Sequence, residues 1–177
     1  MIGYAFCGSF CTHQKSLAVL RELSKSYEVQ PIMSEAAYTT DTRFGTAREL
    51  IEAVEEVCRR PVIHTVAQAE PFGPKIPLDL LIISPCTGNT LAKMAHGITD
   101  TPVTMAAKAQ LRSNRPVLIA LATNDALSAN LPNIATLANR KNITLVPLFR
   151  DDPDKKPYSL IADFAQIPSL VPPLLGE

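Results

Sequence analysis

The chain has no tryptophan, only 6% aromatic residues and just seven glycines. Its hydrophobic share of 46% therefore comes mainly from aliphatic side chains. That composition suits a parallel sheet buried on both faces, whose strands read as continuous apolar runs. Net charge is missing too, since 17 Lys and Arg balance 17 Asp and Glu. Without a bulk field, nothing draws the chain to nucleic acid or to an anionic membrane. No apolar run reaches the length of a membrane span. Met1-Ile2-Gly3 opens straight onto an apolar run with no basic segment before it, which predicts a first strand and not a secretory signal. The cysteines at 7, 11, 58 and 86 include no CxxC pair, so no zinc site is expected. Free thiols in a reducing cytoplasm are the expectation. The dinucleotide fingerprint GxGxxG is also absent, because Gly8 stands alone after the first strand.

What is present is an alternation of apolar runs and amphipathic segments. Strands are expected at Ile2–Cys7, Glu28–Met33, Pro61–Thr65, Leu78–Ser84, Pro116–Ala122 and Ile143–Pro147. Leu17, Leu20, Leu23 and Tyr27 recur at helical spacing, as do Leu50, Ile51, Val54, Val57 and Cys58. Thr101-Pro102 reads as an N-cap followed by proline at the first helical position. Glu70–Pro77 carries three prolines and a glycine and reads as loop. A length of 177 residues supports one domain with one good core. We expect that domain over residues 1–150, with a C-terminal extension at 151–177 packed on it. The extension holds one expected helix, near Tyr158–Phe164, and a proline-rich tail that wraps the surface or packs on a neighbouring protomer. Strands alternating with helices imply right-handed crossovers and a parallel sheet covered on both faces. Ligands of such sheets bind beyond the carboxyl ends of the strands.

Chemistry is therefore expected at the strand ends. Gly8, Ser9 and Thr12 follow the first strand, where a glycine turn and hydroxyls beside a helix N-terminus favour an anion. Ser34 follows the second. Ser84-Pro85-Cys86-Thr87-Gly88-Asn89-Thr90 follows the strongest run, and a helix cap would need only one of those polar residues. Cys86 has no basic neighbour in sequence and is expected as a small lining residue, not a nucleophile. Thr123-Asn124-Asp125 closes the fifth run; Asn124 offers a donor and an acceptor to a carboxylate or amide. Arg43, in Thr42-Arg43-Phe44-Gly45, suits bidentate carboxylate binding. Lys75 lies just before the central strand. Asp151-Asp152-Pro153-Asp154-Lys155-Lys156 reads as a solvated charged turn. His13, His64 and His96 have no triad or metal partner by spacing, and no metal site is expected.

Several of these stretches are similar to a known family. Gly8-Ser9, Ser34, Pro85-Cys86-Thr87-Gly88-Asn89-Thr90, and Ala92-Lys93 through Gly97-Ile98 to Asp100 resemble the flavoprotein family of homo-oligomeric flavin-containing decarboxylases. That family carries a Pro-x-Ser/Thr-x-Asn-Thr loop and a helix reading Ala-Lys-x-Ala-x-Gly-Ile-x-Asp. Thr42–Gly45, Ala69–Lys75, Asp151–Pro153 and Lys155–Pro157 resemble one branch of it, the B-type subunits of dipicolinate synthases. The resemblance implies a three-layer Rossmann-like α/β fold with a doubly wound parallel sheet. It implies a cytoplasmic oxidoreductase subunit for sporulation, working with the A-type subunit of dipicolinate synthase on the cyclic dicarboxylate made by dihydrodipicolinate synthase. The A-type partner would hold the nicotinamide, NAD(P). Here Gly8, Ser9, Ser34, Thr87 and Asn89 would hold FMN, if this branch keeps flavin, and Arg43, Lys75, Asn89 and Asn124 would hold the dicarboxylate.

Two departures separate the chain from the family's usual chemistry. The family's decarboxylases use a histidine shortly before the central strand, and Glu70–Pro77 contains none. They also carry a cysteine on a late substrate flap, and no cysteine follows Cys86. A stand-alone FMN-dependent cysteine decarboxylase is therefore the weakest expectation. A non-catalytic assembly subunit with a degenerate flavin site stands between it and the oxidoreductase subunit.

Overall fold

The computed structural model describes residues 1–73 and 75–177. Pro74, part of the expected 70–77 loop, lies outside the described residues. In chain order the elements are β1 (Ile2–Phe6), α1 (His13–Leu23), β2 (Val29–Met33), α2 (Glu35–Thr39), α3 (Ala47–Cys58) and α4 (Val66–Ala69). Next come β3 (Leu80–Cys86), α5 (Gly88–Ala95), α6 (Pro102–Arg112), β4 (Val117–Thr123), α7 (Leu131–Ala138) and β5 (Ile143–Leu145). The chain closes with β6 (Leu148–Phe149), β7 (Leu160–Ala162) and α8 (Ile167–Leu175).

Strands β2, β1, β3, β4 and β5 pair in that order, all parallel. Their side chains alternate between two apolar layers. Tyr4, Phe6, Leu80, Ile82, Leu118 and Ala120 meet Leu17 and Leu20 of α1, Val54 of α3 and Val171 of α8. Ala5, Leu81, Ile83, Ile119 and Leu121 meet Leu91 of α5, Val103 and Ala106 of α6 and Leu137 of α7. This is the doubly wound, three-layer Rossmann-like α/β fold that the resemblance implies, and its parallel sheet covered on both faces is what the alternating runs imply. The cap expected at Thr101-Pro102 is there, with Thr101 accepting the Thr104 N–H and Pro102 in the first turn; the structure adds a reciprocal box of Thr46 and Glu49 at the start of α3.

The structure corrects three local expectations. Pro61–Thr65 is not a strand; Ile63 alone bridges to Ile32, Pro61 lacks an N–H, and Thr65 caps α4. The stretch expected as a helix near Tyr158–Phe164 contains β7 instead. Because β5 pairs only with the first half of β4, the second half is left open, and β7 joins it antiparallel through Ala122–Ile161 and Thr123–Leu160. Strand β6 then pairs antiparallel with β7, so the parallel sheet gains a mixed edge. The tail is no loose wrap: α8 packs on α1, with Ile167 and Val171 fully buried. An interior proline costs a helix roughly 3 kcal/mol, and α8 holds Pro172 and Pro173. Complete burial of one aliphatic side chain returns about 1.5–3 kcal/mol. Ile167 and Val171, with Leu170, Leu174 and Leu175 half-buried against the same core, offset the prolines.

The chain leaves β1 for β2 on one side and returns past β1 to β3 on the other. The order therefore reverses between β1 and β3, and the loops after those two strands face a shared crevice.

Candidate functional site

The floor of the crevice is built by hydrogen bonds that join the two strand ends. The Cys7 N–H donates to the Pro85 carbonyl at 3.1 Å. Beneath it the Tyr4 hydroxyl donates to the Ser16 carbonyl at 3.0 Å, and the Ser16 hydroxyl donates to the Ser84 carbonyl. Burial pushes the Tyr4 phenol up to about 12, so it stays a neutral structural donor. The loop above is held by Thr12, whose hydroxyl donates to the Ser9 carbonyl at 2.7 Å, and by His13, whose Nε2 lies 2.8 Å from the Cys7 carbonyl. A carbonyl partner requires the proton on Nε2. Burial lowers the His13 pKa below the ordinary imidazole value, against the opposing pull of that carbonyl, so the ring is a neutral pin.

The cysteines at the strand ends are no nucleophiles. Burial pushes the Cys7 thiol up to about 11, and Thr90 donates to its sulfur at 3.4 Å. Cys86 is fully buried, and burial raises its thiol well above the ordinary range. This corrects the expectation that Cys86 lines the site: it is the last residue of β3 and faces the core beneath α5.

The second wall is the start of α5. Thr87 caps the helix by accepting the Thr90 N–H at 3.2 Å and donates its own proton to Thr90 Oγ1. Gly88 permits close packing that no side chain would. A Cβ there would lie 2.5 Å from Asn130 Nδ2 and 2.6 Å from Thr123 Oγ1. Those two groups converge on Asp125, which accepts Thr123 Oγ1 at 2.6 Å and Asn130 Nδ2 at 2.9 Å. Asp125 is therefore the hub that docks the β4 end against α5. The far end of α5 closes with the Ile98 N–H on the Lys93 carbonyl, Gly97 at φ 72° and an ion pair between Lys93 Nζ and Asp100 at 2.8 Å.

The third wall comes from the C-terminal segment, which sequence reasoning missed. Ser159 donates to the Thr123 carbonyl at 3.2 Å and the Leu127 N–H donates to the Tyr158 carbonyl, tying residues 151–159 to the end of β4. Lys156 Nζ reaches Asp151 Oδ2 at 3.1 Å. Burial raises the Asp151 carboxyl, but the polar Ser159 side chain beside it and the hydrogen bond from Lys156 outweigh that and hold the group below the usual carboxylate range. The run expected to be a solvated turn thus places Asp151 and Lys156 on the site.

Together the three walls enclose a cavity of about 510 Å³, within the size range of small-molecule and cofactor sites. Gly8, Ser9, Arg43, Thr87, Asn89 and Asn124 all line it, joined by Asp151, Lys156 and Ser159. A second cavity of about 540 Å³ lies beside it between α1 and α3, and Phe10, Arg43 and Phe44 form the partition. Two expected residues are not among those lining the site. Ser34 is buried, and its hydroxyl accepts the Ala37 N–H as the cap of α2. Lys75 is exposed in the loop that precedes β3. Its neighbour Gly73 packs on Ala109 and Ser113 at the end of α6, which places the loop at the amino-terminal edge of the sheet.

Chemically, the cavity offers the hydroxyl of Ser9, the amides of Asn89 and Asn124, the first N–H groups of α5 and the cations of Arg43 and Lys156. Hydroxyls, helix N–H groups and amides fit the phosphate and polyol of a flavin mononucleotide. The cations fit carboxylates. Among the described residues no group of three His, Cys, Asp or Glu is placed to hold a metal ion, and no helix is long and apolar enough to cross a membrane.

Comparison with known proteins places the chain in a family. The Flavoprotein family profile matches residues 1–171, and the chain belongs to that family. It is 41% identical over 171 residues to the B subunit of dipicolinate synthase of Bacillus subtilis (strain 168), covering 96% of this chain and 86% of that protein. The crystal structure of the dipicolinate synthase B subunit from Bacillus halodurans C superposes with a TM-score of 0.90 at 39% identity, covering 99% of this chain and 90% of that one. The FMN-dependent cysteine decarboxylase SpaF superposes at 0.71 with 22% identity, covering 99% and 97%, a likeness of fold.

Proposed function

We propose that this member of the flavoprotein family is the B-type subunit of a two-subunit dipicolinate synthase. In this reading it acts in the cytoplasm of a sporulating cell, as a homo-oligomer, beside the A-type subunit. The substrate is the cyclic dicarboxylate made by dihydrodipicolinate synthase. Its ring loses a hydride and a proton to become dipicolinic acid, and NAD(P) on the A-type partner takes the hydride. The observation that carries the reading is the span of the similarity to the Bacillus subtilis B subunit. It omits at most a few terminal residues and so takes in every loop that lines the cavity.

Within the cavity, Arg43 binds a ring carboxylate while Asn89 and Asn124 hydrogen-bond around it. FMN, where it binds, supplies two-electron redox chemistry; Ser9, Asn89 and the N–H groups of Gly88 and Asn89 would hold its phosphate. The β1 loop, pinned by His13, keeps Ser9 in place. The test is reconstitution. The chain and its A-type partner, separately and together, are given substrate and oxidised nicotinamide, and dipicolinate is followed by its absorbance. Turnover needing both chains supports the reading, and full turnover by the A-type partner alone contradicts it. Arg43→Ala should cut kcat/KM at least tenfold, the loss of one charge-assisted contact, with an unchanged melting temperature.

A second reading, a binding and assembly subunit with a degenerate flavin site, is favoured by one observation. The hydroxyls of Ser34 and Thr87, two of the five expected flavin ligands, are committed to helix caps. A visible spectrum separates the two. A yellow chain, or one that takes up added FMN, supports a working flavin site, and a colourless chain that binds none supports the degenerate one.

A further inference from the structure

We propose that Lys156 supplies the second cationic contact for a dicarboxylate in the cavity, opposite Arg43, and that Asp151 is the positioning residue for its ammonium. This deepens the dicarboxylate reading above and rests on it.

The placement follows from topology. Arg43 and Lys156 are the arginine and lysine side chains that line this cavity. Arg43 lies between α2 and α3 and arrives from the β2 side of the crevice. Lys156 precedes β7 and arrives from beyond β4. A ligand between them meets positive charge at both ends, which suits two carboxylates on one ring better than a single one.

The local structure shows that Lys156 is held and not merely solvated. The Lys156 N–H donates to the Asp152 carbonyl at 2.8 Å, the Lys155 N–H to Asp152 Oδ1 at 3.2 Å, and the Ser159 N–H to the Lys156 carbonyl at 3.1 Å. Ser159 then anchors this turn to β4. The Lys156–Asp151 contact uses one of the three ammonium protons. Two remain for a ligand. An ion pair this exposed contributes little to folding, so stability does not explain an ordered turn that presents it to a cavity. Pre-positioning the flexible lysine chain reduces the ordering cost of binding. Asp151 by itself would repel a dianion, and Lys156 screens it. A neutral residue at 156 therefore removes an attraction and uncovers a repulsion.

The test is isothermal titration of the purified full-length chain, alone and with its A-type partner, in metal-free buffer. The probes are pyridine-2,6-dicarboxylate and pyridine-2-carboxylate. Lys156→Met should weaken the dicarboxylate by roughly tenfold or more, the loss of one charge-assisted contact, and the monocarboxylate by less than about threefold. The double variant Lys156→Met with Asp151→Asn should recover part of the dicarboxylate loss. A purely structural role would not produce that recovery. Lys155→Met makes the same charge change outside the cavity and should alter neither. If Lys156→Met, folded by circular dichroism, binds the dicarboxylate like the wild type, the assignment of Lys156 is overturned and the dicarboxylate reading stands. If the wild type binds no dicarboxylate with or without the A-type partner, the dicarboxylate reading itself fails.

Discussion

Residues 80–100 run from the central strand through α5 to its capping turn, and residues 148–175 form the edge hairpin and α8. The first stretch carries the pattern shared across the family; the second carries prolines, mixed charge and the branch-specific runs Asp151–Pro153 and Lys155–Pro157. In the structure the roles invert. The patterned residues serve mainly as architecture: the Pro85 carbonyl joins the strand ends, Cys86 fills the core, Thr87 caps, Gly88 allows close packing, and Lys93 pairs with Asp100. Asn89 is exposed at the cavity, and Thr87 and Gly88 line it beside their structural roles. The second stretch supplies Asp151, Lys156, Ser159, Leu160 and Ile161 to the cavity wall and Ile167 and Val171 to the core. The recognisable motif marks where the cavity is built, while much of the cavity wall arrives from elsewhere in the chain.

Substitutions can break or sharpen this contrast. The largest effect concerns the core. Ile82 in β3 and Ile167 in α8 are both fully buried, so Ile82→Ala and Ile167→Ala should each cost about 2–5 kcal/mol in urea unfolding. A cost under about 1 kcal/mol for Ile167→Ala, the value typical of an exposed site, would mean that α8 is dispensable wrapping. Next comes Gly88→Ala. Its Cβ would press on Asn130 and Thr123, and the overpacking should cost about 1–3 kcal/mol. A neutral result would remove the claim that the pattern is architectural.

Less was legible in the sequence at the site than in the fold, for a physical reason. Strands and helices follow local periodicity, so the apolar runs at 2–7, 78–84 and 116–122 and the Thr101-Pro102 cap were readable. The polar loops after the strands were readable too, and the structure brings Ser9, Asn89 and Asn124 from them to one cavity with Arg43. Long-range partners were not readable. Nothing local says that Ser159 will bond Thr123 across the sheet edge and so turn a charged run into a wall. The open half of β4, which draws Leu160–Ala162 into a strand, is likewise visible only once β5 has been seen to stop at Leu145. The placement of Lys75 was legible by contrast: a residue just before the central strand stands at that strand's amino end, away from the crevice.

Smaller effects separate buried pins from exposed charges. Because the His13 pKa is lowered in the folded chain, unfolding takes up protons as pH falls below about 6.5, the unperturbed histidine value. Its contribution to stability is complete above that pH and is lost as pH drops through the folded value. His13→Gln should flatten this acid limb in urea midpoints recorded from pH 7 to 5, and an unchanged slope would deny His13 its role as a neutral pin. Smallest of all, Lys93→Met breaks an ion pair whose aspartate is largely exposed. It should lower stability by less than about 1 kcal/mol and leave dicarboxylate titration unaltered.

The central claim is that the crevice at the carboxyl ends of β1, β3 and β4 receives the dicarboxylate. A crystal structure of the chain soaked with pyridine-2,6-dicarboxylate tests it most directly. The account predicts density for one carboxylate at Arg43 and for the other at Lys156, with Asn124 and Asn89 at the ring. Density at the Lys75 edge of the sheet, with the crevice empty, would contradict it.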